Sequence, residues 1–123
     1  MKIIDAHAHI FPQKIADRAV QSIGAFYDIP MDDGGTADIL LEEMRAANVS
    51  QSLVCSVATK PEQVTAINTF LAEQAKLHPE FIPFAAMHPL MADQEAEFDR
   101  ILEGACYGIK LHPDFQELDI DDP

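Results

Sequence analysis

Short apolar runs alternate along this chain with longer stretches whose apolar residues recur every three or four positions. Residues 2–10 open with Ile3-Ile4, pass through Asp5-Ala6-His7-Ala8-His9 and close on Ile10, the period of two expected of a strand. Residues 11–35 form a long excursion. Ile15, Ala19, Val20 and Ile23 fall at helical spacing from Pro12 to Ile23, and Tyr27 to Gly35, with Pro30, Gly34 and Gly35, reads as loop. Thr36 is placed as an N-cap for a helix through Ala47 with Ile39, Leu40, Met44 and Ala47 on one face. Gln51 to Ala58 suits a buried parallel strand. Pro61 fits the first turn of a helix to Leu77, with Val64, Ile67, Leu71 and Ala75 inward and Pro79 ending it. Phe81 to Met87 reads as a third strand despite Pro83. Ala92 to Leu102 reads as a helix with Phe98, Ile101 and Leu102 inward, closed by Gly104, and Tyr107 to Leu111 as a fourth strand.

Strands alternating with helices imply an α/β fold with a parallel sheet, because parallel neighbours need a crossover long enough to hold a helix. Four strands are expected, in sequential order, with helices on one side and strands one and four as edges. No short repeat or low-complexity segment interrupts residues 1–123, which read as part of a single domain.

The chemistry concentrates at strand ends. Strict alternation would put Asp5, His7 and His9 on one face and Ala6 and Ala8 on the other. Two imidazoles two residues apart can reach one cation, and neutral imidazole is a common ligand for zinc and similar ions. The plainer alternative is a strand end with two exposed histidines. A second marker lies at Gly108-Ile109-Lys110-Leu111-His112-Pro113, a short apolar strand carrying Lys110 and His112.

Three segments in this order, Ile4-Asp5-Ala6-His7-Ala8-His9, Phe81-Ile82-Pro83-Phe84-Ala85 and Gly108-Ile109-Lys110-Leu111-His112-Pro113, resemble the amidohydrolase superfamily. The nearest match is its amidohydrolase-related branch, metal-dependent hydrolases of TIM-barrel fold. A complete barrel of that kind takes about 250 residues, and this chain has 123. The resemblance therefore implies the N-terminal half of such a barrel, a parallel (β/α) half-barrel of its first four strands, truncated after strand four. The stretch Leu118 to Pro123 then reads as the loop leading to the next helix.

The resemblance implies that His7 and His9 are metal ligands, with a divalent metal, zinc first, as cofactor. The family draws its remaining ligands and a proton-transferring aspartate from later strands. Lys110 and His112 are the catalytic candidates. Lys110 stands where some members carry a carboxylated lysine bridging two metals; otherwise it binds substrate or a carboxylate partner. His112 is a substrate contact or a mouth-lining residue. Asp5 either orients an imidazole or bonds backbone. His88 and His78 are read as structural, the latter at a helix C-terminus. The excursion 11–35 is expected to lie over the mouth. The implied function is a hydrolase of C–N or C–O bonds in a small molecule, inactive as this piece alone. A metal-dependent decarboxylase of aromatic acids and a non-catalytic half-barrel serving in assembly remain alternatives, and a related phosphodiesterase or nuclease type also shares the strand-one His-x-His.

Charge narrows the partners. Twenty-one acidic residues against eight basic ones give a net charge of −13, which repels phosphate backbones and argues against nucleic acid. No apolar run approaches the roughly 20 residues of a membrane span, and Asp5 with two histidines near the start does not suit a signal peptide. Cys55 and Cys106 are isolated, with neither metal spacing nor a disulfide framework. Free thiols in a reducing cytoplasm are expected. A small-molecule substrate is the expected partner, and the exposed strand edges of a half-barrel invite pairing with a second copy.

Overall fold

The computed structural model describes residues 1–31, 34–104 and 106–121. Asp32 and Asp33 of the expected loop, Ala105, and the last two residues of the chain lie outside the described residues. Four strands, β1 (Ile4–His9), β2 (Gln51–Cys55), β3 (Phe81–Ala86) and β4 (Gly108–Lys110), form one parallel sheet in the order β1-β2-β3-β4. Helices fill the connections: α1 (Gln13–Tyr27) and α2 (Ala37–Ala46) between β1 and β2, α3 (Val64–Leu77) before β3, α4 (Gln94–Glu103) before β4 and a single turn α5 (Pro113–Gln116) after it. The result is the expected half-barrel, with β1 and β4 as edges.

The core lies between the sheet and one layer of helices. Ala8 and Ile10 at the end of β1, Val54 of β2 and Phe81 of β3 pack with Leu41 and Met44 of α2 and Leu71 of α3. A second cluster joins Ala85, Ala86 and Met87 to Val64 of α3 and Ile101 of α4. Alternation is clean in β2 and at the start of β3: Ser52, Val54, Phe81 and Pro83 are buried, while Leu53, Ile82 and Phe84 on the other face are only half-buried. That open face also carries Ile4, 50% exposed. Gly108 is required by this face. A Cβ there would lie 2.5 Å from the Phe84 ring, so the ring rests directly on the β4 backbone.

Several helices present a different face from the one expected. In α4 Ile101 is buried, but Leu102 is 81% exposed and Glu97 takes an inward position at 4%. The reason is a polar network with α3. Glu97 accepts from Asn68 Nδ2 at 2.7 Å and Thr65 Oγ1 at 3.0 Å, and pairs with Arg100 at 2.6 Å. Asn68 also spans both polar groups of the Ala86 backbone, donating to its oxygen at 3.0 Å and accepting from its N–H at 2.7 Å. A buried carboxylate is tolerable only with such partners. In α1, Ile15 is exposed, and the buried stripe is Ala16, Val20 and Gly24. In α2, Leu41 is buried and Ala47 exposed. Thr36 caps α2 as expected, its hydroxyl accepting from Ile39 N–H at 3.4 Å.

Boundaries also shift. β2 stops at Cys55 and β4 has three residues, the turn Pro61–Gln63 is a 3-10 turn preceding α3, and α1 runs on to Tyr27. Asp28 then ends α1 in the left-handed conformation (φ 54°).

Candidate metal centre

The β1 backbone sets the site. Its register pairs Ile4 with Gln51 and Asp5 with Ser52, then Ala8 with Val54 and His9 with Cys55. One extra residue is therefore accommodated between Asp5 and Ala8, a bulge. The Asp5 carboxylate accepts from the His7 backbone N–H at 3.0 Å, satisfying the donor that the bulge takes out of the ladder. The slip puts Asp5 in line with Ser52, on the helix-facing side, rather than with the imidazoles. The expected common face of Asp5, His7 and His9 is thus corrected to His7 and His9 alone.

Those two rings do meet. His7 Nε2 lies 3.1 Å from His9 Nε2, and the ring centroids are 4.8 Å apart, edge to face. His9 Nδ1 lies 2.9 Å from the Cys55 carbonyl oxygen. A carbonyl can only accept, so Nδ1 carries the proton and Nε2 of the neutral ring presents its lone pair toward His7. Burial is the main influence holding the His9 pKa below its usual value; the Cys55 carbonyl opposes the shift, while positive charge on His7, Lys110 and His112 adds to it. The ring is kept neutral, the form that binds metals. Phe11 stacks beside it at a centroid distance of 6.4 Å.

An open basin lies beside the His7 ring, lined by Ala6, His7, Leu53, Cys55, Phe84, Ile109 and Lys110. Lys110, at the end of β4, thus faces the same space as His7. Its charge acts on both His9 and Cys55. Another hollow, between Phe11, Thr36, Asp38, Phe70 and Gln74, lies away from the imidazoles and gathers none of the residues singled out for chemistry.

His112 has a different setting. Its Nε2 lies 2.9 Å from the Tyr27 hydroxyl, and its Nδ1 accepts from Phe115 N–H at 3.4 Å as the N-cap of α5. Both ring nitrogens are engaged, and the ring packs edge to face on Phe115 at 4.6 Å. Phe26 stacks on the same Phe115 at 4.2 Å. The end of α1 therefore reaches from the β1 connection to the segment after β4, a bridge between the two edge strands.

Gln116 organises the same rim. Its buried amide donates to Ala58 O at 3.0 Å and Met87 O at 2.7 Å, and accepts from His112 N–H at 2.7 Å. One side chain thus ties together the segments that follow β2, β3 and β4. His88 is buried and accepts from Leu90 N–H at 3.2 Å, a local turn contact, and His78 caps the end of α3.

Two residues at this rim escape sequence reading. Cys55 lies with His7 and His9 in a group whose donor atoms are all within 4.8 Å of one another. The signal for it is positional, a cysteine at the end of the strand paired with the histidine strand. Gln116 has no signal before the strand ends are placed.

Among solved structures, the fold is similar to the crystal structure of a probable 2-pyrone-4,6-dicarboxylic acid hydrolase from Acinetobacter baumannii, determined with citric acid bound. The TM-score is 0.56 at 15% identity, over 95% of this chain and 44% of that one. At that identity the likeness speaks for the fold, and this chain spans less than half the length of the protein it resembles. No protein-family model and no curated protein matches the sequence. Among the described residues no helix is long and apolar enough to cross a membrane.

Proposed function

We propose that residues 1–123 form the metal-carrying half of a divalent-metal hydrolase of amidohydrolase type, acting on a C–N or C–O bond of a small molecule. The observation that carries this reading is the 3.1 Å separation of His7 Nε2 and His9 Nε2 at the end of β1. Two nitrogens each about 2.0–2.1 Å from one tetrahedral ion lie roughly 3.3–3.4 Å apart. The rings thus stand almost as a shared ion would hold them, and the Cys55 carbonyl fixes the His9 tautomer as outer hydrogen-bond partners of metal ligands do. A bound zinc would supply Lewis acidity and lower the pKa of a coordinated water to about 7.

The chain's own residues define the rest of the reading. Leu53 and Phe84 give the basin an apolar wall against which a substrate would pack. Lys110 would hold a carboxylate or carbonyl oxygen of the substrate, and His112, with Tyr27, would line the rim where substrate enters. The similarity to part of a hydrolase barrel supports this assignment at the level of fold, and the acidic surface is consistent with a small molecule rather than nucleic acid.

The test joins this chain to the remaining strands of a barrel of its class. The product is assayed for metal by elemental analysis and for turnover on esters, lactones and amides, with carbon dioxide release monitored as the sign of a decarboxylase. His7→Ala and His9→Ala should each lower metal content and abolish hydrolysis. Full turnover in the doubly substituted protein would sink the reading.

A further inference from the structure

We infer that Cys55 joins His7 and His9 as a third ligand, making a nitrogen–nitrogen–sulfur site for a thiophilic divalent ion, zinc or cobalt, built by β1 and β2 alone. The inference deepens the metal reading above and rests on it.

The sheet register places the thiol where it is needed. His9 and Cys55 are direct partners across β1 and β2, so their side chains emerge on the same face. His7, two residues before His9, shares that face, so that a donor atom from each of the three residues lies within 4.8 Å of the other two. Nitrogen and sulfur ligands of one tetrahedral zinc are roughly 3.5 Å apart, from bonds of about 2.0–2.1 and 2.3 Å.

The sulfur is not committed elsewhere. Its one directional contact beyond the His9 ring is a weak donation to Ala8 O at 3.7 Å, and Cys55 is a free cysteine. Nor does a purely structural role need sulfur: a small apolar side chain fills a strand end equally well. Three protein ligands with a fourth position toward the basin is also the pattern of a catalytic zinc, whereas two imidazoles alone fall short of it. On binding, the thiol proton passes to solvent and sulfur binds as thiolate. The proton between the two imidazoles moves from His7 Nε2 to His7 Nδ1, leaving both Nε2 lone pairs on the ion. No electron transfer is involved.

Cobalt(II) reports the ligand set directly, because a thiolate ligand gives a charge-transfer band in the near ultraviolet that imidazole does not. The metal-free chain is titrated with cobalt(II), then with zinc in competition, alongside Cys55→Ser, Cys55→Ala, Cys106→Ser and His7→Ala/His9→Ala. Circular dichroism checks the fold of each. The expected result is one band per chain, retained in Cys106→Ser and lost in both Cys55 variants. Cobalt affinity should fall in the Cys55 variants by more than the roughly 10–100-fold that losing an outer hydrogen-bond partner costs. Cobalt bound without the band, at an affinity unchanged in folded Cys55→Ala, would overturn the inference while leaving the two histidines as ligands. No cobalt or zinc bound by the isolated chain would overturn it too, since the site is claimed for these two strands alone. Binding that survives His7→Ala/His9→Ala would instead remove the histidine reading on which it rests.

Discussion

Replacing Gln116 with leucine should loosen the whole rim of the site. The side chain is 6% exposed and makes three hydrogen bonds, to Ala58 O, Met87 O and His112 N–H. Leucine has similar bulk and satisfies none of them. Three buried or half-buried backbone groups then lose a partner. At the lower end of the usual cost, about 1 kcal/mol each because the rim adjoins solvent, this totals roughly 3 kcal/mol. Extra apolar burial by leucine returns about 1 kcal/mol. The net loss should be about 2 kcal/mol, a large share of the roughly 5–15 kcal/mol that holds a typical domain. Gln116→Glu should cost at least as much, because its carboxylate would face two carbonyl oxygens. Urea unfolding measures the loss. The emission of Tyr27 and Tyr107 reports the rim, since the chain has no tryptophan and Tyr27 bonds His112 at the N-cap of α5. If both variants unfold within about 0.5 kcal/mol of the parent, as ordinary surface substitutions do, the three bonds do not hold the rim and the reasoning fails.

The other predictions concern charge. Burial works to raise the Glu97 pKa, but hydrogen bonds from Arg100, Asn68 and Thr65 outweigh it, so the folded value lies below the ordinary 4.5. Its stabilisation is then fully present above the unfolded pKa and lost as pH falls through the folded one. Glu97→Gln should flatten that acid limb in urea midpoints taken from neutral to acid pH and cost about 1–3 kcal/mol at neutral pH. An acid limb identical to the parent's would contradict this. In the completed barrel, Lys110→Ala should raise KM with kcat and metal content little changed, the pattern of a lost substrate contact. Loss of one metal equivalent would show that Lys110 bridges two ions instead.

What the sequence disclosed follows from the range of the interactions concerned. Strand and helix alternation is local, and from it come the four strands, their parallel order and the meeting of His7 with His9. Asp5 defeats the same reasoning two residues away. Its carboxylate bonds the His7 N–H and stabilises a bulge, and a bulge breaks the period of two on which the common face depended. Helix periodicity failed for a related reason in α4. It selects apolar residues, so it points to Leu102, whereas the inward position belongs to Glu97 through Asn68, 29 positions earlier.

Cys55 carries this argument to the site itself. In sequence it is an isolated cysteine, 46 positions from His9, and no spacing rule joins the two. The sheet register makes them direct neighbours. A spacing motif detects ligands carried on one element, while neighbouring parallel strands bring residues together at whatever separation the crossover imposes. The same holds at the rim, where Gln116 reaches the segment after β2 across 58 positions. On the ligand set inferred above, the first two strands would hold an ion that the His-x-His pattern alone would leave to later parts of a barrel. That consequence separates a site distributed around eight strands from one seated on a single strand pair.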